Sequence, residues 1–291
     1  MGKDLFDTHS ESRQIFEKAD AVLGFSISKI CFEGPEEELK KTSITQPALL
    51  TASMAAFAIL KKNNLAVEGV AGHSLGAYTA LAAAEVLTFE DAVKLVRRRG
   101  ELMEEAGKGR GTMAVILNLD EDKVAQACKE ASSMGVVEPA NVNCPGQIVI
   151  SGEKAAVAAA CEKAKALGAK RAMELPVSGP FHSSLMKQAA DGLKLSLGNI
   201  RFSEPKKTYY SDIDATVMKD VNQIKESLFR QLMAPVQWIK VIEKMGSDGF
   251  DQFVEVGPGK VLNGLIRKIS KDAQIFNAGD EANIKILCEA K

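Results

Sequence analysis

The chain has 291 residues, of which 46% are hydrophobic and 26% are charged, a composition typical of a soluble globular protein and too apolar for a disordered one. Thirty-seven basic and 38 acidic residues give a formal net charge of −1, which argues against a dedicated nucleic-acid-binding protein because such proteins carry a strong positive field. The length predicts one large or two modest domains.

Membrane, secretory and metal-binding classes are also disfavoured. No apolar run approaches the roughly 18–20 residues that span a bilayer, and the first residues contain no apolar signal core, so we expect a cytoplasmic protein. With only three histidines, a multi-histidine metal site is improbable. The cysteines are odd in number and form no CxxC pair, which favours reduced structural thiols; they are Cys31, Cys128, Cys144, Cys161 and Cys288.

In chain order, the first elements are helices followed by a strand, a turn and a helix. The spacing of apolar residues predicts helices over residues 10–23 and 47–62. Residues 65–71 form a short apolar stretch that ends in a glycine turn, and residues 77–86 form an alanine-rich helix. This order indicates an α/β architecture.

The middle of the chain predicts a second unit with the order β-α-β-β-α-β, which is the ferredoxin-like signature. Its predicted segments are strands at 112–119, 136–142, 147–151 and 170–177 and helices at 121–132 and 153–167. We therefore expect a ferredoxin-like insert at residues 111–177 in an α/β body formed by residues 1–110 and 178–291. A cleft between two such units is a common place for a functional site.

The stretch GHSLG at residues 72–76 matches the pattern G-x-S-x-G between a predicted strand and a predicted helix. In that context the turn projects the hydroxyl of Ser74 as a nucleophile. The backbone N–H of Leu75 then lies beside it at the start of a helix, where it can stabilise an oxyanion. The alternative is a glycine-rich turn whose serine only caps the helix. The strand-turn-helix context favours the nucleophile.

A serine nucleophile needs a base near neutral pH, and histidine is the usual one. His73 is adjacent to the serine in the turn, so a structural or pocket-lining role is expected for it. His9 lies in a polar N-terminal stretch and is expected on the surface. His182 remains, at the exit of the predicted insert, although a lone histidine is more often structural than catalytic.

Six stretches of the sequence occur in the order of a known family: GHSLGAYTAL, LVRRRGELM, NVNCPGQIVISG, LPVSGPFHSSLM, RQLMAPVQW and EVGPGKVL. In these stretches the chain resembles the malonyl-CoA:acyl carrier protein transacylases of bacterial type II fatty-acid synthesis. It runs from the first residues to about Lys268. It implies an α/β-hydrolase-like body with a ferredoxin-like insert, in a monomeric enzyme that transfers malonyl from malonyl-CoA to the phosphopantetheine thiol of acyl carrier protein.

The resemblance also implies the roles of individual residues. Ser74 matches the acylated nucleophile and His182 the general base. Arg99 matches the arginine that binds the malonyl carboxylate, and Gln231 the position whose main-chain carbonyl orients the histidine. A guanidinium suits a carboxylate because it is a rigid, permanently charged fork. The residues alone do not distinguish Arg99 from its two arginine neighbours, which are expected to be solvated.

The chain departs from the family at its start. Members begin with a strand and a G-Q-G-S-Q loop whose glutamine supplies a second oxyanion-hole amide, whereas this sequence begins just beyond that point. We expect a truncated or misassigned start, with an exposed sheet edge and the loss of one backbone donor, which typically costs about 10²–10³ in rate.

The implied substrates are malonyl-CoA and acyl carrier protein, with coenzyme A as product and no permanently bound cofactor. Because acyl carrier proteins are acidic, a basic docking patch is expected; its candidates are Lys206, Lys207, Arg267 and Lys268. Phe181 is a candidate for crowding the acyl α-carbon and disfavouring branched substrates. No membrane or nucleic-acid partner is expected.

Two other functions stay open. A serine thioesterase or esterase would pass the acyl group to water, but such enzymes usually place an acid and then a histidine late in the chain, and no histidine follows His182. The other alternative is a non-catalytic subunit that only binds acyl carrier protein.

Overall fold

The computed structural model describes residues 1–289 of an α/β protein, and its N-terminal part is helical. Five helices open the chain: α1 (Lys3–Thr8), α2 (Ser10–Leu23), α3 (Ile27–Glu33), α4 (Glu36–Leu39) and α5 (Thr42–Lys62). By length and composition α5 could cross a membrane, but 78% of its apolar window is buried inside the fold. It is a core helix with apolar residues on all sides.

Helix α5 begins at Thr42, five residues before the predicted start at Pro47. Proline has no N–H to donate, so the Ser43 carbonyl four residues earlier lacks its helical partner. The guanidinium of Arg97 donates to that carbonyl at 3.0 Å. This bond from a neighbouring helix allows α5 to continue through the proline.

The next three elements form the strand-turn-helix unit predicted from the sequence. They are β1 (Gly69–Ala71), α6 (Gly76–Ala83) and α7 (Phe89–Gly107). Strand β1 is shorter than the apolar stretch suggested, and α6 ends three residues before the predicted boundary. Helix α7 is amphipathic, and its buried face carries Arg99 into the interior.

The middle of the chain has the predicted element order β-α-β-β-α-β. Its elements are β2 (Thr112–Leu117), α8 (Glu121–Ala131), β3 (Val137–Cys144), β4 (Gln147–Gly152), α9 (Lys154–Ala166) and β5 (Arg171–Glu174). The strands form one antiparallel sheet in the order β3-β4-β2-β5. Strand β5 ends at Glu174, three residues before the predicted end at residue 177 and two before Pro176.

The C-terminal part returns to the first sheet and adds a second, two-stranded one. It contains α10 (Lys187–Gly198), β6 (Thr208–Tyr210), β7 (Val217–Met218), α11 (Val221–Gln231), α12 (Trp238–Ser247), β8 (Gln252–Val256), α13 (Val261–Ile269), β9 (Gln274–Ala278) and α14 (Glu281–Glu289). Strand β6 pairs in parallel with β1 and antiparallel with β7, while β8 and β9 pair in parallel.

Two connections fix the position of the candidate site. Strands β1 and β6 are parallel neighbours, with Ala71 opposite Tyr210, so the segments that follow them emerge at the same sheet edge. The segment after α11 is tied to β3 through Val236, whose amide donates to Ala140 at 2.9 Å and whose carbonyl accepts from Val142 at 2.8 Å. The antiparallel sheet is thereby fixed beside that edge.

Candidate active site

Ser74 lies in the sharp turn between β1 and α6 and has a left-handed backbone, with φ of 52°. The turn is tight at Gly72, where a Cβ atom would lie 2.0 Å from the carbonyl carbon and oxygen of Gly76. Only glycine fits that position without moving the helix. The N-cap of α6 is Leu75, and no side-chain hydrogen bond caps the helix. The structure therefore does not use Ser74 as a capping residue.

The hydroxyl of Ser74 contacts the imidazole of His182, with 2.8 Å between Oγ and Nε2. On the other side of the ring, Nδ1 lies 2.8 Å from the carbonyl oxygen of Gln231 and 3.2 Å from that of Ala234. Carbonyl oxygens only accept hydrogen bonds, so Nδ1 carries the proton and Nε2 is free to accept one from the serine. Ser74 and His182 thus form a nucleophile–base pair in geometry.

His182 is 4% exposed, and its backbone is also left-handed, with φ of 59°. Burial, together with the nearby charge of Arg99, lowers the pKa of His182 to about 3, although the hydrogen bonds to the two carbonyls oppose the shift. The imidazole is therefore neutral, as a proton acceptor must be.

Arg99 extends from α7 into the same site and is 1% exposed. Its NH1 donates to Gln46 Oε1 at 2.8 Å, and its NH2 donates to Ser74 Oγ and to Gln231 Oε1, both at 3.1 Å. The ring of Tyr78 lies 5.3 Å from the guanidinium carbon. Within residues 1–289, no carboxylate lies within the 4.0 Å of an ion pair. Arg99 is thus a buried cation held by neutral groups, and an anionic ligand would neutralise it.

The amide of Leu75 follows the nucleophile at the start of α6 and donates to no acceptor in residues 1–289. An unpartnered N–H at a helix N-terminus, beside the attacking oxygen, can receive negative charge that develops on a carbonyl oxygen.

Asp212 is a component of the site that the sequence analysis missed. It follows β6 by two residues, accepts the N–H of Ser74 at 2.9 Å, and accepts from Gln231 Nε2 at 3.0 and 2.9 Å. Burial raises the pKa of Asp212 to about 6, although these hydrogen bonds oppose the shift. Only the pairing of β1 with β6 brings Asp212 to the nucleophile, and no local sequence signal indicates it.

The side-chain contacts of two glutamines were missed as well. Gln46 directly precedes the predicted start of a helix at residue 47, and its carboxamide oxygen accepts from Arg99. Gln231 was chosen for its main-chain carbonyl, but its carboxamide also contacts Arg99, Asp212 and the carbonyl of Ser74.

The other two histidines and the arginine neighbours lie outside this hydrogen-bonded group. The Nε2 atom of His73 contacts Asn143 Oδ1 at 2.9 Å, and the ring lines the cavity. The expectation that His9 lies on the surface is wrong in part, because it is half-buried and its Nε2 lies 2.5 Å from a carboxylate oxygen of Glu281. Arg97 was expected to be solvated but is half-buried against α5; Arg98 is half-exposed, as expected.

A cavity of about 330 Å³ opens over the nucleophile, between the α/β body and the antiparallel sheet. The body contributes Gln46 and Arg99 to its wall, while Met113, Asn141 and Val149 come from the sheet. The sheet side of the wall is thus apolar except for Asn141, and the other side carries the Arg99 guanidinium and the Ser74 hydroxyl. Among residues 1–289, no cluster of three or more histidine, cysteine, aspartate or glutamate residues is arranged to hold a metal ion.

The family model, the curated relatives and the solved structures that match this chain are all acyl transferases. The acyl transferase domain family matches residues 1–282. The malonyl CoA-acyl carrier protein transacylase of Staphylococcus aureus (strain MW2) is 47% identical over 287 residues, covering 98% of this chain and 92% of the relative. The protein of the same name from Bacillus subtilis (strain 168) is 43% identical over 288 residues, covering 98% and 91%.

The solved structures that match this chain include malonyltransferases of the same kind as these relatives. A type II PKS acyl-carrier protein in complex with its malonyl-transacylase matches with a TM-score of 0.97 and 41% identity, covering 100% of this chain and 95% of the other. An acyl carrier protein S-malonyltransferase from Vibrio cholerae matches with a TM-score of 0.96 and 41% identity, covering 99% and 94%.

Proposed function

Because this chain belongs to the acyl transferase family, with malonyl CoA-acyl carrier protein transacylases as relatives over nearly its whole length, we propose that it transfers malonyl groups through Ser74. The activity is the transfer of malonyl from malonyl-CoA to acyl carrier protein, in fatty-acid or polyketide synthesis. The observation that supports Ser74 is its 2.8 Å contact with the unprotonated nitrogen of His182.

In the first half-reaction, Oγ of Ser74 attacks the thioester carbonyl while Nε2 of His182 takes the hydroxyl proton. The carbonyl oxygen becomes negatively charged, and the amide of Leu75 donates to it. When the tetrahedral intermediate collapses, the carbon–sulfur bond breaks and the proton on Nε2 passes to the sulfur of coenzyme A. The product is malonyl-Ser74.

The second half-reaction runs the same steps in reverse with another sulfur. The phosphopantetheine thiol of acyl carrier protein gives its proton to His182 as its sulfur attacks the ester carbonyl. The bond to Oγ breaks, and the proton returns to Ser74. Both half-reactions use one base and one oxyanion donor, so the enzyme is restored after each cycle.

The preference for malonyl is proposed to come from Arg99. Its charge is removed from water and contacts only neutral groups, so the terminal carboxylate of malonyl provides the ion pair that the free site lacks. An acetyl group offers no such charge and leaves the buried cation unneutralised.

At the level of subdomains, we propose an α/β-hydrolase-like body at residues 1–110 and 178–291 and a ferredoxin-like insert at 111–177. The strand order β3-β4-β2-β5 with two helices supports the insert. We further propose a cytoplasmic monomer without a resident cofactor and with no membrane or nucleic-acid partner. Phe181 lines the cavity, which supports its proposed role against branched acyl groups.

Docking of acyl carrier protein is proposed to use the basic end of α13. Arg267 and Lys268 are exposed there, in the last turn of the helix. Lys206 is already paired with Glu85 at 2.6 Å, and Lys207 donates to the carbonyl of Val67 at 3.0 Å, so they offer less to an acidic partner.

Mass spectrometry after addition of malonyl-CoA tests the proposed function. We expect one malonyl group on Ser74, which a thiol acceptor discharges, and no adduct on a folded Ser74→Ala variant. Rapid loss of the group to water would instead indicate a hydrolase. Absence of any adduct on the unmodified chain would indicate a binding subunit.

A further inference from the structure

The carboxylate of Asp212 joins the two halves of the site. Its Oδ2 accepts from the backbone N–H of Ser74 and from Nε2 of Gln231. Its Oδ1 accepts from the same nitrogen of Gln231. Resting on the function proposed above, we propose that Asp212 is a positioning residue for acyl transfer, which holds the nucleophile turn and the Gln231 carboxamide in one geometry by accepting hydrogen bonds from both.

The first contact fixes the nucleophile. Ser74 has a left-handed backbone, so its N–H takes no part in the hydrogen bonds of α6 and needs an acceptor outside the helix. Asp212 Oδ2 accepts it at 2.9 Å. The direction of the serine side chain follows from its backbone, so this bond also helps to hold Oγ at 2.8 Å from His182.

The second contact fixes the orientation of an amide. An ionised carboxylate can only accept, so Asp212 must face the NH₂ end of Gln231. The oxygen end then faces Arg99, whose NH2 donates to it at 3.1 Å. If the amide were reversed, its NH₂ group would face the guanidinium. Through Gln231, Asp212 therefore also helps to hold Arg99, together with Gln46, which accepts from Arg99, and the Ser74 carbonyl, which accepts from the same NH₂ group of Gln231.

A structural role alone does not explain a carboxylate at this position. Asp212 is 1% exposed, and no cationic group of residues 1–289 lies within the 4.0 Å of an ion pair. Burial of an unpaired carboxylate costs free energy of folding, and such costs are concentrated at functional sites. Asp212 has no hydrogen bond to His182, whose Nδ1 is satisfied by two carbonyls. It is therefore not the acid of a serine–histidine–aspartate triad.

The test is the single-turnover rate at which malonyl-CoA and acetyl-CoA acylate Ser74 in the full chain, followed by mass spectrometry. In Asp212→Ala we expect the limiting malonyl rate to fall by about 10–100-fold, because a displacement near 1 Å can cost that much, and the preference for malonyl over acetyl to fall with it. In Asp212→Asn, an amide oxygen at the Oδ2 position can still accept from Ser74 and Gln231, while the NH₂ group loses the second contact with Gln231, so part of the loss should be recovered.

Asp214→Ala is the matched control. Asp214 lies on the same loop but pairs with Arg230 at 2.8 Å and contacts no residue of the site. We expect its acylation rate to stay within about twofold of the unmodified chain even if its stability falls, since residues without shared partners act independently. Thermal unfolding of every variant shows whether it is folded. If Asp212→Ala does not fold, Asp212→Ser serves instead, because its shorter side chain cannot reach both donors.

The possible failures are distinguishable. If the unmodified chain is acylated and Asp212→Ala reacts equally fast, Asp212 has no positioning role. If Asp212→Asn is as slow as Asp212→Ala, the charge matters and the hydrogen-bond acceptor does not, which also overturns the inference. If the unmodified chain is not acylated at Ser74, the proposed function itself is wrong.

Discussion

The guanidinium of Arg99 donates a hydrogen bond to the hydroxyl of Ser74, with 3.1 Å between its NH2 and Ser74 Oγ. The same oxygen lies 2.8 Å from His182 Nε2. The group that would bind the substrate carboxylate is therefore adjacent to the nucleophile. In malonyl-CoA a single methylene separates the carboxylate from the thioester carbonyl, so a short diacid can reach both at once.

Replacement of Arg99 should separate malonyl from acetyl transfer. We expect Arg99→Ala to slow acylation by malonyl-CoA by about 30–150-fold, the equivalent of about 2–3 kcal/mol for a hydrogen bond to a charged group. Acylation by acetyl-CoA should fall far less, since it loses only the contacts of Arg99 with Ser74 and its neighbours. Arg98→Ala is the control, since Arg98 is half-exposed and, within residues 1–289, forms an ion pair with Glu101 alone. Equal losses for malonyl and acetyl in Arg99→Ala would contradict the role of Arg99 as the carboxylate ligand.

The two glycines of the nucleophile turn should respond differently to the same substitution. In Gly72→Ala the new Cβ would lie 2.0 Å from backbone atoms of Gly76, whereas a Cβ at Gly76 has no neighbour within 4 Å. We expect Gly72→Ala to lose about 3 kcal/mol or more of stability, and Gly76→Ala to unfold at or slightly above the melting temperature of the unmodified chain. Thermal unfolding measures both. Similar shifts in the two variants would show that the turn is not as tight as described.

The pH dependence of acylation should lack the fall near pH 6.5 that an ordinary histidine base produces. Burial lowers the pKa of His182 to about 3, so the imidazole stays neutral from pH 8 down to pH 5. Asp212, whose pKa is raised to about 6, keeps an acceptor oxygen when it is protonated. We expect kcat/KM for malonyl-CoA, which reports the free enzyme, to be nearly flat across this range. A single fall centred near pH 6.5 in both the unmodified chain and Asp212→Asn would mean that His182 is solvated or differently paired, because the variant has no carboxylate at residue 212 to titrate there.

The stability cost of Asp212 should depend on pH. Its pKa is about 6 in the folded protein and near the ordinary value of 3.8 in the unfolded chain, so between these values the folded state binds more protons. The contribution of Asp212 to the free energy of unfolding therefore falls as the pH rises from 4 to 6. We expect the free energy of unfolding of Asp212→Asn to exceed that of the unmodified chain by up to about 3 kcal/mol at pH 8, with no such increase at pH 4.

Urea unfolding at both pH values measures this difference. Asp214→Asn is the control, because Asp214 is paired with Arg230 and its replacement removes an attraction. It should bring no gain at pH 8. A gain in Asp212→Asn that is the same at pH 4 and pH 8 would contradict ionisation of Asp212 as its cause.

Local patterns in the sequence predicted much of the fold but few of its long-range pairings. The order β-α-β-β-α-β in the middle of the chain was predicted from apolar periodicity, because each of those elements is short and bounded by glycine, proline or polar residues. The parallel pairing of β1 with β6 joins segments more than 130 residues apart. No periodicity in either segment identifies its partner.

The residues of the candidate site likewise divide into those with a local sequence signal and those without one. Ser74 could be proposed from its turn and His182 by elimination, and their side chains lie within hydrogen-bond distance of each other. Arg99 required the family resemblance, since neighbouring arginines share its local pattern. Asp212 and Gln46 could not be predicted, because their roles depend on packing between distant elements.

The acceptors of the His182 Nδ1 proton are two neutral carbonyls, from Gln231 and Ala234. Neutral acceptors hold the tautomer but stabilise a protonated ring less than a carboxylate would, so this histidine is a weak base. Thiols ionise near pH 8.5 and need little help to attack or depart, whereas water, with a pKa of about 15.7, needs strong deprotonation. At the step that discharges the proposed acyl-serine, a weak base is therefore sufficient for attack by a thiol and gives little assistance to attack by water.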